Sequence, residues 1–403
     1  MTDLAHRRLP RTPLRRVHRE HPWRMPILVV AVILSGLAVR SPITVMGPLG
    51  QQIGDAYGLS AAGIGALTTV TLVVFVIASP FATTVGRRLG IELAVVLGFL
   101  IVVAGAVVRT LPSTAALYAG TVLVALGLCL PNVLLPMVIR RDFPRSIGTM
   151  TALFTSTMTV SGALGSFLAL PLTSQWGWHV AITVIPAGAL LAAVLWLPFE
   201  REHHRPDRTA GVPAGSLWRS PLAWQVTGFF GMQSLMFYTA VAWLVPMLTD
   251  RGMSAAAASG LLGMLALIGM VPSLLVPPIA ARGRDQIVVA ALIGLVQVVG
   301  GVLVATTTGA ALAVGVLVVG VGSGAGMSLA SSFLGLRTGT SMAAGRLAGM
   351  SQSGGYAIAA LGPVLVGLAH EWSGSWTGPR WTYAVVGLAT LTLGMLAGRA
   401  RRV

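Results

Sequence analysis

The feature that most constrains this chain is the recurrence of long apolar runs. Twelve of them lie at residues 26–49, 61–82, 91–109, 115–139, 147–171, 179–199, 222–249, 255–280, 286–306, 310–334, 345–369 and 381–398. Each reaches or approaches the roughly 20 residues that a helix needs to cross a bilayer. Only 9% of the residues are charged, against roughly 25% in soluble domains. The short alternating segments of a membrane β-barrel are missing. In hydrocarbon every backbone N–H and C=O must be bonded within the chain, so runs of this length are read as helices. The expected fold is an all-α polytopic membrane protein with twelve transmembrane helices, its outer surface facing the lipid bilayer.

Between the sixth and seventh runs lies EREHHRPDRTAGVPAGSLWRS, the longest polar stretch between spans. It divides the chain into a basic tail (1–25), an N-terminal six-helix bundle (26–200), a linker (201–221) and a C-terminal six-helix bundle (222–403). Arginine sets the orientation. With the N-terminus inside, the tail and the loops on its side hold 23 of the 27 basic residues; the opposite loops hold three, Arg109, Arg251 and Arg380. That asymmetry places both termini in the cytoplasm. The net charge of +16 is thus spread over short loops on one membrane face, which argues against nucleic acid as a partner. The tail looks like the start of a signal peptide, but the run from Pro26 exceeds the about 7–15 residues of a signal core. It is read as a retained first span. A single cysteine, Cys129, excludes an internal disulfide and a cysteine metal cluster.

The two halves repeat weakly at an offset of about 197 residues. The loop after the second span is ATTVGRRLG, and the loop after the eighth is PIAARGRDQ. The fifth span carries SGALGSFLALPL, the eleventh AALGPVLVGL. Two parallel six-span halves place a substrate site near mid-membrane, between them. Twelve spans, two halves and a basic Gly-Arg-Arg loop after span two resemble the major facilitator superfamily. The loop lacks the acidic residue usual there. A sharper resemblance is to the cyanate and 2-nitroimidazole transporter family. It rests on the Arg-x-Pro element and Gly-Pro-Leu of span one, GRRLGIE entering span three, NVLLPMVIRRDFP leaving span four and FYTAVAWLVPML in span seven. It covers nearly the whole chain, and NVLLP…RRDFP is its most specific element. The resemblance implies the major facilitator fold, two pseudo-symmetric six-helix bundles that carry a small solute across a bacterial inner membrane.

One charge breaks the apolar pattern. Arg40, in LAVRSPITVMGPL, lies 14 residues past Pro26 and 11 before Gln51, or about 21 and 16 Å along a helix. Neither interface is within comfortable reach of its side chain, and an arginine so placed costs about 2.5–3.5 kcal/mol to insert. All eleven acidic residues sit in tails, loops or span ends, so no resident carboxylate matches its depth. Either a solute supplies the partner, or water and backbone carbonyls do. Pro42 frees the carbonyl of Ala38 for such a contact, and Pro42 and Pro48 bend the helix around it. Under the repeat, Tyr238 falls opposite Arg40. Asn132, between Pro131 and Pro136, reads equally as interhelical glue or as a ligand. Trp243 lines the outer vestibule or joins the aromatic belt. Gln352 and Tyr356 share a face of span eleven. Glu92 reads as a helix-start acid paired with Arg87 and Arg88, or as a gating or proton site. Asp142 with Arg140, Arg141 and Arg145 reads as a cytoplasmic charge latch between helices.

These features point to a monomeric secondary transporter for a small polar or anionic solute, with protons a candidate coupling ion. The competing reading is proton-coupled drug efflux. Its usual Gly-Pro motif in span five is missing from SGALGSFLALPL. An enzyme would need a nucleophile, metal or acid–base cluster at membrane depth, and the sequence offers none. It needs no cofactor, and no phosphate-binding loop supports ATP drive.

Overall fold

The computed structural model describes residues 23–202, 217–339 and 341–402. Most of the expected tail and the middle of the expected linker fall outside that set. Among the described residues, all regular structure is helical. The helices are α1 (Arg24–Tyr57), α2 (Ala61–Leu89), α3 (Ile91–Val108), α4 (Thr114–Asp142), α5 (Ile147–Trp176), α6 (Trp178–Trp196), α7 (Pro221–Thr249), α8 (Ala255–Arg282), α9 (Ile287–Thr306), α10 (Gly309–Leu336), α11 (Ser341–Ser373) and α12 (Thr382–Ala397).

Among the described residues, eleven helices, α1 to α11, are long and apolar enough to cross a membrane. The last, α12, has 16 residues, about 24 Å of rise. It is shorter than the 381–398 run because a 3-10 turn, Pro379–Trp381, precedes it. Elsewhere the helices outrun the apolar stretches, α2 to Leu89 and α4 to Asp142. Hydropathy stops at the first arginines, but the backbone hydrogen bonds continue, with the charged heads reaching the interface.

The twofold repeat is visible in which helices touch. In the first half α1 packs on α5 and α6, and α3 on α4 and α6. In the second half α7 packs on α11 and α12, and α9 on α10 and α12. Across the halves α2 packs on α11, α5 on α8 and α1 on α7. Close approach within a half depends on glycine. A Cβ on Gly127 of α4 would lie 2.5 Å from the Gly98 carbonyl of α3, and one on Gly120 would lie 2.6 Å from that of Gly105. Small residues are what lets membrane helices interlock where no hydrophobic effect drives them together.

The repeat also reuses a clamp at the end of each half's third helix, where the last carbonyls lack intrahelical donors. After α1, the Tyr57 hydroxyl donates to the carbonyls of Leu111 (2.9 Å) and Arg109 (3.3 Å). After α7, Arg251 donates to those of Val304, Ala305 and Thr307 at 2.6–2.8 Å. Burial lowers the Arg251 pKa from the ordinary arginine value, with Arg380 adding to the fall and Asp250 opposing it. At the other end of the bundle, Arg337 donates to the Ala397 and Gly398 carbonyls that end α12 and to Gln286.

The expected charge latch is present, with different partners. Arg141 lies 2.8 Å from Glu92 and 2.6 Å from Asp142, and Arg24 lies 3.4 Å from Asp142. Glu92 therefore pairs with Arg141 and not with Arg87 or Arg88. Those two precede the turn at Gly90 (φ +94°); Arg87 bonds Thr84 and Arg88 is exposed. Among the described residues these pairs join α1, α3 and α4, and so brace the first half. Glu92 is 1% exposed, and Glu92→Gln should lose about 1–3 kcal/mol of stability while leaving solute binding in place. Thermal unfolding of the purified variant, with and without solute, checks both parts.

Candidate functional site

The chemistry gathers where α1 breaks. Proline lacks an N–H and its ring clashes with the carbonyl four residues back, so it interrupts a helix in the turn before it. The helix accordingly stops at Val39, runs again over Ser41–Thr44, breaks at Val45 and restarts at Met46 ahead of Pro48. Arg40 sits at the first break. Its backbone N–H and that of Ser41 both donate to Ser161 Oγ of α5, at 3.2 and 2.9 Å. On the other side of the break, the Pro42 carbonyl accepts from Arg109 Nη1 at 3.0 Å.

The Arg40 side chain enters a cavity of about 680 Å³ between the halves, within the range of small-molecule sites. Besides Arg40, α5 contributes Thr151, Thr155 and Thr159, and α7 contributes Gln233, Ser234, Phe237 and Tyr238. Ser273 and Pro277 come from α8, Ser323 and Ser328 from α10, and Tyr356 from α11. Among the described residues, Arg40 is the one charged side chain in this lining, and no Asp or Glu joins it. The lining extends toward the start of α5 and the ends of α8 and α10, so the cavity opens at the end of the bundle that carries the arginine-rich loops.

The opposite end is sealed by contacts between the halves. The Ala62 N–H of α2 donates to Glu371 Oε1 of α11 at 2.6 Å, and Thr69 donates to the Ala360 carbonyl at 2.8 Å. Ser259 of α8 donates to the Ser166 carbonyl of α5. A Cβ on Gly47 would lie 2.1 Å from the Val241 carbonyl of α7, so α1 and α7 touch backbone to backbone.

Arg40 has no carboxylate partner, and its guanidinium makes no hydrogen bond or ion pair among the described residues. It does not take the Ala38 carbonyl freed by Pro42. Instead its Cζ lies 4.6 Å from the centre of the Phe237 ring, a cation–π contact that supports one face and leaves donor edges for the cavity. Tyr238 and Tyr356 line the same cavity, their rings 6.4 Å apart. Neither phenol hydroxyl has a hydrogen-bond partner among the described residues. The cavity wall thus presents a guanidinium and two phenols as donors, with hydroxyls of Ser and Thr beyond them.

Other expected site residues lie elsewhere. Asn132 is absent from the lining; its amide donates back to the Leu128 carbonyl of its own helix at 2.9 Å. Trp243 is 2% exposed and seals the closed end, its indole N–H on the Pro363 carbonyl at 2.7 Å and its ring against Gly65 of α2. Gln352 is half-buried and does not line the cavity, although Tyr356 on the same helix does. Three elements were not anticipated. The threonines at 151, 155 and 159 recur every four residues, which places them on one helix face. Phe237 supports Arg40. Gln233 lines the cavity and pairs with Gln297 of α9, whose Nε2 donates to Gln233 Oε1 at 2.7 Å.

The sequence profile of the Major Facilitator Superfamily matches residues 28–345. The chain is 38% identical to the 2-nitroimidazole transporter of Escherichia coli (strain K12), over 94% of this chain and 96% of that protein. It is 26% identical to the cyanate transport protein CynX of the same organism, over 68% of this chain and 71% of that one. The crystal structure of a D-xylose-proton symporter superposes with a TM-score of 0.72 at 14% identity, covering 94% of this chain and all of that one. A multi-pass helical chain with these halves, this central cavity and these relatives belongs to the major facilitator superfamily of transporters, in the group that includes the 2-nitroimidazole and cyanate transporters.

Proposed function

We propose that this chain carries a small anionic or strongly dipolar solute, of nitroimidazole or cyanate type, across a bacterial inner membrane by rocking one half against the other. The observation that carries the reading is Arg40: a permanent cation in a central cavity, with no carboxylate beside it and no protein acceptor among the described residues. A solute with an anionic or nitro-type oxygen would take the unused donor edges of the guanidinium. The phenols of Tyr238 and Tyr356 would add further bonds. With the arginine-rich end in the cytoplasm, the cavity corresponds to an inward-open state. Efflux driven by a carboxylate relay inside the cavity finds no support, since no acid lines it among the described residues.

The test is solute entry into proteoliposomes. Vesicles containing the protein should take up labelled 2-nitroimidazole or cyanate faster than protein-free vesicles, and unlabelled solute should compete. Equal rates with and without protein, for both probes and for a panel of small carboxylates, would overturn the reading.

A further inference from the structure

The position of Arg40 is set by two residues that do not touch the cavity. An uninterrupted helix would bond the N–H groups of Arg40 and Ser41 to the carbonyls of Gly36 and Leu37. The break removes both bonds, and buried N–H groups must find other acceptors. Ser161 Oγ provides one acceptor for both; the side chain is 0% exposed, and its two lone pairs match the two donors. Arg109, 1% exposed, completes the other side. Its Nη1 donates to Pro42 and its Nε donates to Thr121 Oγ1 at 3.1 Å. The sequence placed Arg109 in an outer loop; it is instead a buried cation spending its donors on the carbonyl two residues past Arg40.

We infer that Ser161 and Arg109 are positioning residues for solute binding: together they hold the α1 break so that the Arg40 guanidinium enters the cavity above Phe237. Ser161 lies on α5, Arg109 at the end of α3 and Thr121 on α4, all in the same half as α1. The brace therefore stays assembled when the halves rock, and Arg40 keeps one place through the cycle. Without the Ser161 acceptor, the two N–H groups would regain partners by re-forming the helix or drawing in water. Either change rotates the Arg40 Cα and moves its side chain. A displacement of about 1 Å is enough to cost a hundredfold in a positioned site.

The inference rests on the transport reading for its kinetic arm but not for its chemical arm. Ser161→Ala should raise the half-saturating concentration for 2-nitroimidazole uptake about tenfold with the maximal rate within about twofold, the pattern of lost binding rather than lost turnover. Ser161→Thr, which keeps the hydroxyl, should restore it. Thr121→Val takes away the Arg109 Nε acceptor and should raise the half-saturating concentration in the same direction; an unchanged value would remove Arg109 from the brace. In parallel, phenylglyoxal labelling of Arg40, read by mass spectrometry on folded, monodisperse protein, should change in rate in Ser161→Ala and return in Ser161→Thr. Unchanged half-saturation and unchanged labelling in Ser161→Ala overturn the positioning role, as does a fall in maximal rate alone. If the unaltered protein moves no probe, the transport reading fails, and the labelling rates still decide whether Ser161 places Arg40.

Discussion

Arg40→Ala should reduce solute uptake to about a hundredth or less while the protein remains folded and inserted. A hydrogen bond to a charged group contributes about 1.5–3 kcal/mol, and a guanidinium offers two in parallel. Losing more than about 3 kcal/mol of binding exceeds a hundredfold in affinity. Folding should survive because the guanidinium makes no hydrogen bond or ion pair among the described residues; the variant leaves no buried acceptor stranded. Removing a cation from mid-membrane should even relieve about 2.5–3.5 kcal/mol of insertion cost. Loss of function with unchanged or raised stability is the signature of a binding residue. Arg40→Lys separates charge from geometry. An ammonium keeps the charge but gives up the planar fork, so one of the two bonds is lost and uptake should fall about tenfold. Full uptake by Arg40→Lys would reduce the role of Arg40 to simple charge.

Gly127→Val should be strongly destabilising although it lies outside the cavity. The added Cβ would meet the Gly98 carbonyl at 2.5 Å and the Val102 amide nitrogen at 2.8 Å. Both are backbone atoms in the middle of a helix, so neither can swing aside, and α3 and α4 must separate along their length. Overpacking of this kind costs about 1–3 kcal/mol, and here the loss falls at the upper end because four glycines, at 98, 105, 120 and 127, share the seam. Gly188→Val on α6 is the control. A Cβ at Gly188 would meet nothing within 4 Å, so that variant should be neutral or slightly more stable through better helix propensity. Thermal unfolding in detergent distinguishes the two; equal melting temperatures would contradict the packing argument.

The fold was legible because hydropathy and arginine placement are one-dimensional signals. A helix stands at each of the twelve apolar runs, most with ends within about five residues, while α1 and α2 run on to Tyr57 and Leu89 past runs that end at 49 and 82. The site was only partly legible. Arg40 declared itself by charge in an apolar run, and Tyr238, its counterpart under the repeat offset, lines the same cavity. Asn132, Trp243 and Gln352 failed as cavity residues because sequence shows that a polar or aromatic side chain lies in a span, not which way it faces. Asn132 satisfies itself on its own helix, and Trp243 lies on the sealed side of α7. Arg109 was hidden by its place at a span end, where an arginine ordinarily meets water. A signal existed for the threonines of α5, whose spacing of four draws a hydroxyl stripe down an otherwise apolar helix. Phe237 carried none, since one phenylalanine in a span looks like any other.

The central claim is that a solute occupies the cavity through Arg40, and ligand-induced stabilisation measures it directly. A ligand at 100 times its dissociation constant stabilises the folded state by about 2.7 kcal/mol. Melting temperatures of purified protein should rise with increasing 2-nitroimidazole or a related small anion, and the same series should leave Arg40→Ala unmoved. An equal rise in both proteins would place the solute somewhere other than beside Arg40 and contradict the account.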